Sequence, residues 1–231
     1  MDVILVPGFW LTARTWDPVL PALHAAGHQP HPLTLPGLES PDSDRSGITL
    51  ADHVNAVVAA IDACAGKVAL VGHSGGGVVA YDALDARVDR VDRVVYVDTW
   101  PLSDGMPIND SMPVVGSDVR FPGWNAFEDV EYADLDSETR ARFEAEAVPQ
   151  PAAAVRSPQV LVNPERRRVP STIILSTASE KDFRAWMASG SEWLAETASL
   201  ENLRLVELPA GHWPQLSRPD DLAAALVDAL A

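Results

Sequence analysis

Residues 68–77 read VALVGHSGGG, an apolar run followed by a Gly-x-Ser-x-Gly motif and a helix-like segment. This order is typical of a strand, a sharp turn and a helix, in which the turn presents the serine hydroxyl as a nucleophile. The turn forces Ser74 into a strained backbone conformation. Side chains at Gly72 and Gly76 would collide with the adjacent strand and helix. The alternative is a glycine-rich turn in which Ser74 is an ordinary helix N-cap.

The rest of the chain alternates between strand-like and helix-like segments. Apolar runs predict six strands, at residues 2–6, 30–35, 67–71, 91–97, 171–175 and 203–208. Apolar residues at helical spacing predict helices between most of these strands. Such alternation indicates a parallel sheet with helices on both faces. We therefore predict an α/β fold built on a mostly parallel, six-stranded sheet.

One long segment, residues 101–168, breaks this alternation. It is rich in proline, contains no good strand pattern and has only short helix-like pieces such as residues 137–148. A structureless loop of that length is uncommon in a compact domain. We therefore predict a helical cap at residues 101–168, inserted between two core segments, residues 1–100 and 169–231.

Composition limits the classes of partner and the cellular compartment. The net charge of −16 argues against nucleic-acid and anionic-membrane partners, because both require basic patches. The single cysteine, Cys64, excludes an intrachain disulfide, and we interpret it as core packing at the end of an apolar helix. Neither a basic leader nor a long apolar segment precedes the first strand, so we expect a cytoplasmic protein.

Cofactor and metal motifs are missing from the sequence. It contains no dinucleotide fingerprint and no phosphate-binding loop with a lysine, so we predict no cofactor. His24, His28 and His31 cluster around Gly27, which first suggests metal binding. Their loop setting has no nearby carboxylate, so we predict no metal site.

Reactive side chains follow the ends of several predicted strands. In an open parallel sheet, ligands bind beyond the carboxyl ends of the strands, where Ser74, Asp98 and His212 would meet. A neutral imidazole can take the proton of a serine hydroxyl, and a buried carboxylate can orient that imidazole. The backbone N–H groups of Phe9 and Gly75 are the natural donors to a tetrahedral oxyanion.

The identity of the acid is open at the sequence level. Asp98 stands directly at the end of an apolar strand, whereas Glu180 and Asp182 lie in the loop after the next-to-last strand. Glu180 and Asp182 could also serve only to stabilise the start of a helix, where carboxylates are favourable. A carboxylate at a strand end is costly to bury without a partner such as histidine. We therefore favour Asp98 and keep Asp182 and Glu180 as alternatives.

Four segments resemble the small, cap-bearing α/β hydrolases that include esterases and the plant hydroxynitrile lyases. They are VPGFW at 6–10, GHSGG at 72–76, YVD at 96–98 and GHWP at 211–214. The similarity spans essentially the whole chain. It implies a serine–histidine–acid triad in the chain order nucleophile, acid, histidine, which Ser74, Asp98 and His212 satisfy. This chain lacks the two initial antiparallel strands of longer members, and Pro7-Gly8 replaces their usual His-Gly.

Aromatic residues flank the predicted site. Trp10, Trp100 and Trp213 adjoin its loops, and Trp124 lies in the predicted cap, so we expect these four to line an apolar substrate pocket. Other tryptophans lie on helix faces, where we expect packing: Trp16, Trp186 and Trp193. We predict hydrolysis of small to medium carboxylic esters through an acyl-enzyme, with a small apolar ester as the partner. A homodimer is compatible with the sequence.

Three other functions remain open. A carbon–carbon bond lyase resembling hydroxynitrile lyases could use the same triad, but such lyases use a lysine near the site, and only Lys181 lies beside a site loop here. An epoxide hydrolase or dehalogenase of this fold uses an aspartate nucleophile, which Ser74 disfavours. A non-catalytic receptor for a small ligand could use the same scaffold, because fold does not determine function.

Overall fold

Six of eight strands form one sheet in the computed structural model, which describes residues 1–231. The strand order is β2-β1-β3-β4-β7-β8, and every neighbouring pair is parallel. The bounds are β1 Asp2–Val6, β2 Gln29–Pro32, β3 Val68–His73, β4 Val91–Val97, β5 Asp118–Val119, β6 Gln150–Pro151, β7 Ser171–Leu175 and β8 Leu203–Glu207. The predicted parallel, six-stranded α/β architecture is confirmed.

Ten α-helices and five short 3-10 segments complete the structure. The helices are α1 Leu20–Ala25, α2 Leu50–Ala63, α3 Gly75–Ala86, α4 Asp129–Tyr132, α5 Ser137–Glu146, α6 Ala152–Arg156, α7 Glu180–Ala188, α8 Ala195–Ala198, α9 Pro214–Ser217 and α10 Pro219–Leu230. The 3-10 segments are Ala13–Val19, Val88–Arg90, Trp124–Ala126, Pro164–Arg168 and Glu192–Leu194. None of the helices offers the long, weakly charged apolar stretch that a transmembrane span requires.

The sheet has a hydrophobic core on each face. Alternate residues of a strand point to opposite faces, so Ile4 packs with α2 and α3 while Val3 and Leu5 pack with α10. The strands β3 and β4 are buried on both faces, as the continuous apolar runs predict. This two-sided packing leaves the carboxyl edge of the sheet as the place where loops can form a site.

Residues 101–168 contain the short helices α4, α5 and α6 and the small antiparallel pair β5–β6. The sequence analysis missed these two strands, because a strand of two residues leaves no periodic pattern. The segment contacts the loop after β1, where the Trp10 indole N–H donates to the Val119 carbonyl at 3.2 Å and the Val148 N–H donates to the Trp10 carbonyl at 3.0 Å. The division into a core and a separate cap stays a prediction.

Candidate active site

Ser74 occupies the turn between β3 and α3 in a strained conformation. Its φ of 51° and ψ of −130° lie in a region that non-glycine residues rarely adopt. The backbone N–H of Ser74 donates to the Val97 carbonyl at 3.2 Å, which ties the turn to the neighbouring strand. The Ser74 hydroxyl makes no capping hydrogen bond to α3. The simple N-cap alternative is therefore wrong for this serine.

The glycines of the turn let three elements approach closely. A Cβ on Gly72 would overlap the main chain of Gly77 at the start of α3. A Cβ on Gly76 would overlap the carbonyls of Val6 and Pro7 at the end of β1. These obstacles are backbone atoms, which cannot rotate away, so a larger residue at either position would displace α3 from the sheet.

His212 bridges Ser74 and Asp98. Its Nε2 lies 2.9 Å from the Ser74 Oγ, and its Nδ1 lies 2.7 Å from the Asp98 Oδ2. Because an ionised carboxylate can only accept, Nδ1 carries the proton and Nε2 is free to accept from the hydroxyl. The structure thus brings together three side chains that are separated by 24 to 138 residues in the sequence.

Asp98 is buried at the end of β4 and is well supplied with donors. Its Oδ1 accepts from the N–H of Ser176 at 2.9 Å and from the N–H and hydroxyl of Thr177, both at 3.0 Å. Burial by itself raises the pKa of Asp98, but the hydrogen bond and charge of His212 and these N–H donors hold it below the usual value. The carboxylate is therefore ionised beside the imidazole.

The two alternative acids lie at the start of α7 and do not contact His212. Ser179 caps this helix by accepting from the Asp182 N–H at 3.1 Å, and its hydroxyl donates to the Asp182 carboxylate at 2.7 Å. Glu180 pairs with Arg184 at 2.7 Å. Carboxylates are favourable in a first helical turn, so both residues have a local structural role.

The main chain of His212 is held from two sides. Its carbonyl accepts from the His73 Nε2 at 2.7 Å, and its N–H donates to the Glu131 carbonyl at 2.6 Å. The preceding Gly211 N–H donates to the Asp134 carboxylate at 2.7 Å, and a Cβ at Gly211 would overlap the Glu131 carbonyl. The segment around α4 therefore rests directly on the loop that carries the imidazole.

His73 makes a long-range contact with the His212 main chain that the sequence did not indicate. It is fully buried, and burial together with the nearby His212 lowers the pKa of His73 to about 3. The ring is therefore neutral and donates through Nε2. Its partner lies 139 positions away in the sequence, so no local pattern could reveal the contact.

The two predicted oxyanion donors are the backbone N–H groups of Phe9 and Gly75. Both residues line the same cavity as Ser74. The Phe9 ring covers Gly75 so closely that a Cβ there would overlap it. Backbone N–H donors next to a serine hydroxyl can bind an oxygen on which negative charge develops.

The cavity above Ser74 has a volume of about 260 Å³, and more than half of its lining residues are hydrophobic. Trp10, Trp100 and Trp213, three of the four tryptophans expected in a substrate pocket, line this cavity, and Trp124 does not. The Trp124 ring packs against Phe143 and Trp213, with ring centroids 5.2 Å apart in each case. It belongs to an apolar cluster that also contains Leu135 and the cavity-lining Trp10 and Trp213.

Other parts of the wall were not foreseen. Trp193 was expected to pack on a helix face, but it is 51% exposed and lines the cavity. Trp186 is also exposed, whereas Trp16 is fully buried as expected. Trp193 lies in a 3-10 turn rather than on a helix with a buried face, which is why the packing interpretation failed. Ile108 and Met112 also contribute, and no sequence signal marked them.

The sequence matches the alpha/beta hydrolase family over residues 3–225. This match covers nearly the whole chain, so the protein belongs to the α/β hydrolase family, as the four segments suggested. Fold and family together therefore define this protein as a hydrolase enzyme. No curated protein matches the chain at a significant level.

Solved structures of the same fold cover the chain almost completely. An extracellular α/β-hydrolase from a Paenibacillus species is 21% identical, with a TM-score of 0.80 over 99% of this chain and 98% of that one. A pyrethroid hydrolase from Sphingobium faniae is 21% identical, with a TM-score of 0.77 over 100% and 98%. A methylesterase from Arabidopsis is 19% identical, with a TM-score of 0.74 over 100% and 98%. At these identities the likeness establishes the fold.

Proposed function

We propose that this protein is a serine hydrolase that cleaves small to medium carboxylic esters through an acyl-enzyme. The observation that carries the proposal is the continuous chain of hydrogen bonds from Asp98 through His212 to the Ser74 hydroxyl, at 2.7 and 2.9 Å. Both distances are within the range that proton transfer through a positioned base requires. In this proposal Ser74 is the nucleophile, His212 the base and Asp98 the orienting acid.

In the acylation step, the Ser74 Oγ attacks the ester carbonyl carbon while the His212 Nε2 takes the hydroxyl proton. Asp98 stabilises the imidazolium that forms and stays ionised itself. The negative charge on the former carbonyl oxygen is bound by the N–H groups of Phe9 and Gly75. Loss of one such donor typically raises the barrier by about 3–4 kcal/mol.

Collapse of the tetrahedral intermediate breaks the bond to the alcohol oxygen, which leaves with the proton from His212. Water then repeats the sequence on the acyl-enzyme. His212 takes a proton from the water, whose oxygen attacks the acyl carbon, and Ser74 leaves with that proton. The same two N–H donors bind the second oxyanion. The products are a carboxylic acid and an alcohol, and the enzyme returns to its starting state.

The cavity supports an apolar ester as the substrate. Four tryptophans line the cavity, and neither lysine nor arginine lines it, so no such side chain there would pair with an anionic substrate group. Lys181, the one lysine beside a predicted site loop, is not part of the wall, which favours ester cleavage over a lysine-dependent lyase reaction. Two relatives of the same fold are a methylesterase and polyneuridine aldehyde esterase.

The test uses p-nitrophenyl acetate and butyrate with the wild type and Ser74→Ala. We expect turnover of at least one ester by the wild type, and a loss of at least about a thousandfold in the variant. Ser179→Ala removes a serine hydroxyl that caps α7 and serves as the matched control, with turnover preserved.

A covalent probe separates an enzyme from a small-ligand receptor. We expect an organophosphonate to add one phosphonyl mass to the wild type, and mass mapping to locate it on Ser74. Equal turnover by wild type and Ser74→Ala, or no adduct on folded wild-type protein, would refute the proposed mechanism.

A further inference from the structure

Three potential metal ligands converge at the edge of the sheet opposite Ser74. Asp2 begins β1, His31 lies in β2, and Cys64 follows the last residue of α2. One ligand atom from each side chain lies within 4.8 Å of the other two. The strands are parallel, so the amino end of β1 is remote from the carboxyl end of β3, where Ser74 stands. This cluster is therefore separate from the candidate active site.

The sheet register explains why the sequence did not indicate a carboxylate beside His31. Asp2 is paired with Gln29 across the β1–β2 ladder, which brings its side chain to His31 two residues further along. The His31 Nε2 lies 2.7 Å from the Asp2 Oδ1. In the sequence His31 has no carboxylate close to it, whereas in the folded protein it has one from the neighbouring strand.

The donor set matches the chemistry of Zn²⁺. A thiolate, an imidazole and a carboxylate are its three usual ligand types, and four-coordinate geometry is its preferred one. With bonds of about 2.0–2.3 Å, ligand atoms around Zn²⁺ stand about 3.3–3.8 Å apart. The side chains need to move by only about an ångström to reach this spacing, and water can supply the fourth ligand. Calcium and magnesium prefer oxygen ligands alone.

The contacts that metal binding would replace are weak. Cys64 Sγ donates to the Ala60 carbonyl at 3.4 Å, which is its one hydrogen bond. Side chains of Asp2 and His31 are 33% and 43% exposed, so their mutual contact is partly screened by solvent and they can adjust their positions.

We propose that Asp2, His31 and Cys64 form a Zn²⁺ site that joins β1, β2 and the end of α2. The metal would cross-link three elements that are otherwise held by ladder hydrogen bonds and core packing.

The experiment is a titration of Co²⁺ into protein that has been stripped of metal with a chelator and then freed of the chelator. Cobalt replaces zinc in such sites and reports its ligands by absorption. We expect a thiolate-to-cobalt band that saturates at one equivalent and disappears when Zn²⁺ is added. Competition with a chromophoric zinc chelator then gives the Zn²⁺ dissociation constant.

Three variants decide whether these residues hold the metal. Cys64→Ser should abolish the thiolate band, and His31→Gln should weaken Zn²⁺ binding at least tenfold. His24→Gln, on the nearby helix α1, is the control and should bind as the wild type does. Circular dichroism verifies that each variant is folded.

Thermal unfolding supplies a second measurement. Zn²⁺ should raise the Tm of wild type and His24→Gln, because a ligand that binds only the folded state stabilises it. It should not raise the Tm of Cys64→Ser. No thiolate band in the wild type, or wild-type Zn²⁺ affinity in His31→Gln, would overturn the proposal.

Discussion

The carboxylates that follow β4 and β7 at the carboxyl edge of the sheet have opposite roles. The loop after β4 buries Asp98 in a strained conformation, with φ at 47°, and directs it to His212. Beyond β7, Glu180 and Asp182 lie near solvent in the first turn of α7, where they stabilise the start of that helix. The difference teaches that the partners of a carboxylate, rather than its distance from a strand end, determine its role.

The loop after β7 nevertheless supports the loop after β4. Ser176 and Thr177, directly after β7, donate two N–H groups and one hydroxyl to Asp98 Oδ1. The loop after β7 thus supplies the donors, and the loop after β4 supplies the acid. This division of roles explains how a chain can carry its acid after β4 and still depend on the loop that follows β7.

The largest expected effect comes from replacing the carboxylate that contacts His212, in comparison with the two that do not. Asp98→Asn should lower kcat for ester hydrolysis by about ten-thousandfold, because the amide cannot hold the imidazole in its productive tautomer. Asp182→Asn and Glu180→Gln should stay within about twofold of the wild type, since neither residue contacts His212. Steady-state kinetics on folded protein measure this. A severe loss in Asp182→Asn would reverse the assignment of the acid.

The second prediction concerns His73, which holds the His212 main chain in place beside Asp98. Its pKa is lowered to about 3 in the folded state, against about 6.5 in an unfolded chain. Below pH 6.5 the unfolded chain therefore binds a proton that the native state does not. The contribution of neutral His73 to the free energy of unfolding is fully present above pH 6.5. It decreases by about 1.4 kcal/mol per pH unit as the pH falls towards 3.

Urea unfolding at pH 7 and pH 5 measures this dependence. Between these values the wild type should lose about 2 kcal/mol more stability than His73→Asn, which lacks the titrating ring. Buried groups such as His53 contribute in both proteins and cancel in the difference. Identical losses in the two proteins would contradict a neutral, buried His73.

The third prediction sharpens the supporting role of the loop after β7. Thr177→Val keeps both backbone donors but removes the hydroxyl that bonds to Asp98. A hydrogen bond to a charged group contributes about 1.5–3 kcal/mol, so we expect kcat to fall by about ten- to a hundredfold. The comparison of Thr177→Val with Thr177→Ser in the same assay checks this, because serine restores the hydroxyl. Equal activity in both variants would argue against the role.

The smallest expected effect tests the structural role of the other carboxylates. Ser179→Ala removes the cap of α7 and should lower the free energy of unfolding by about 1 kcal/mol. Its kcat should remain that of the wild type. Chemical denaturation and the ester assay measure the two quantities on one sample. A loss of activity without a loss of stability would place this loop in the reaction rather than in the fold.

The core of the fold was predictable because its signals are local. The strand bounds at 91–97 and 171–175 agree with the structure to the residue, and Gly72 and Gly76 mark the turn at Ser74 because only glycine fits against a neighbouring backbone. The short edge strand was placed less well, since β2 ends at Pro32 rather than at residue 35. An edge strand with few apolar residues has a weak pattern.

By itself, the sequence determined the parallel sheet, the turn at Ser74 and the set of residues that stand after strand ends. Only the tertiary structure decided which carboxylate meets His212, that His73 and the segment around α4 hold its main chain, and that Trp193 rather than Trp124 lines the cavity. The physical reason is the separation along the sequence over which each interaction acts. Strand patterns and glycine requirements arise within a few residues, whereas hydrogen bonds across 77 to 139 positions exist only once the chain has folded.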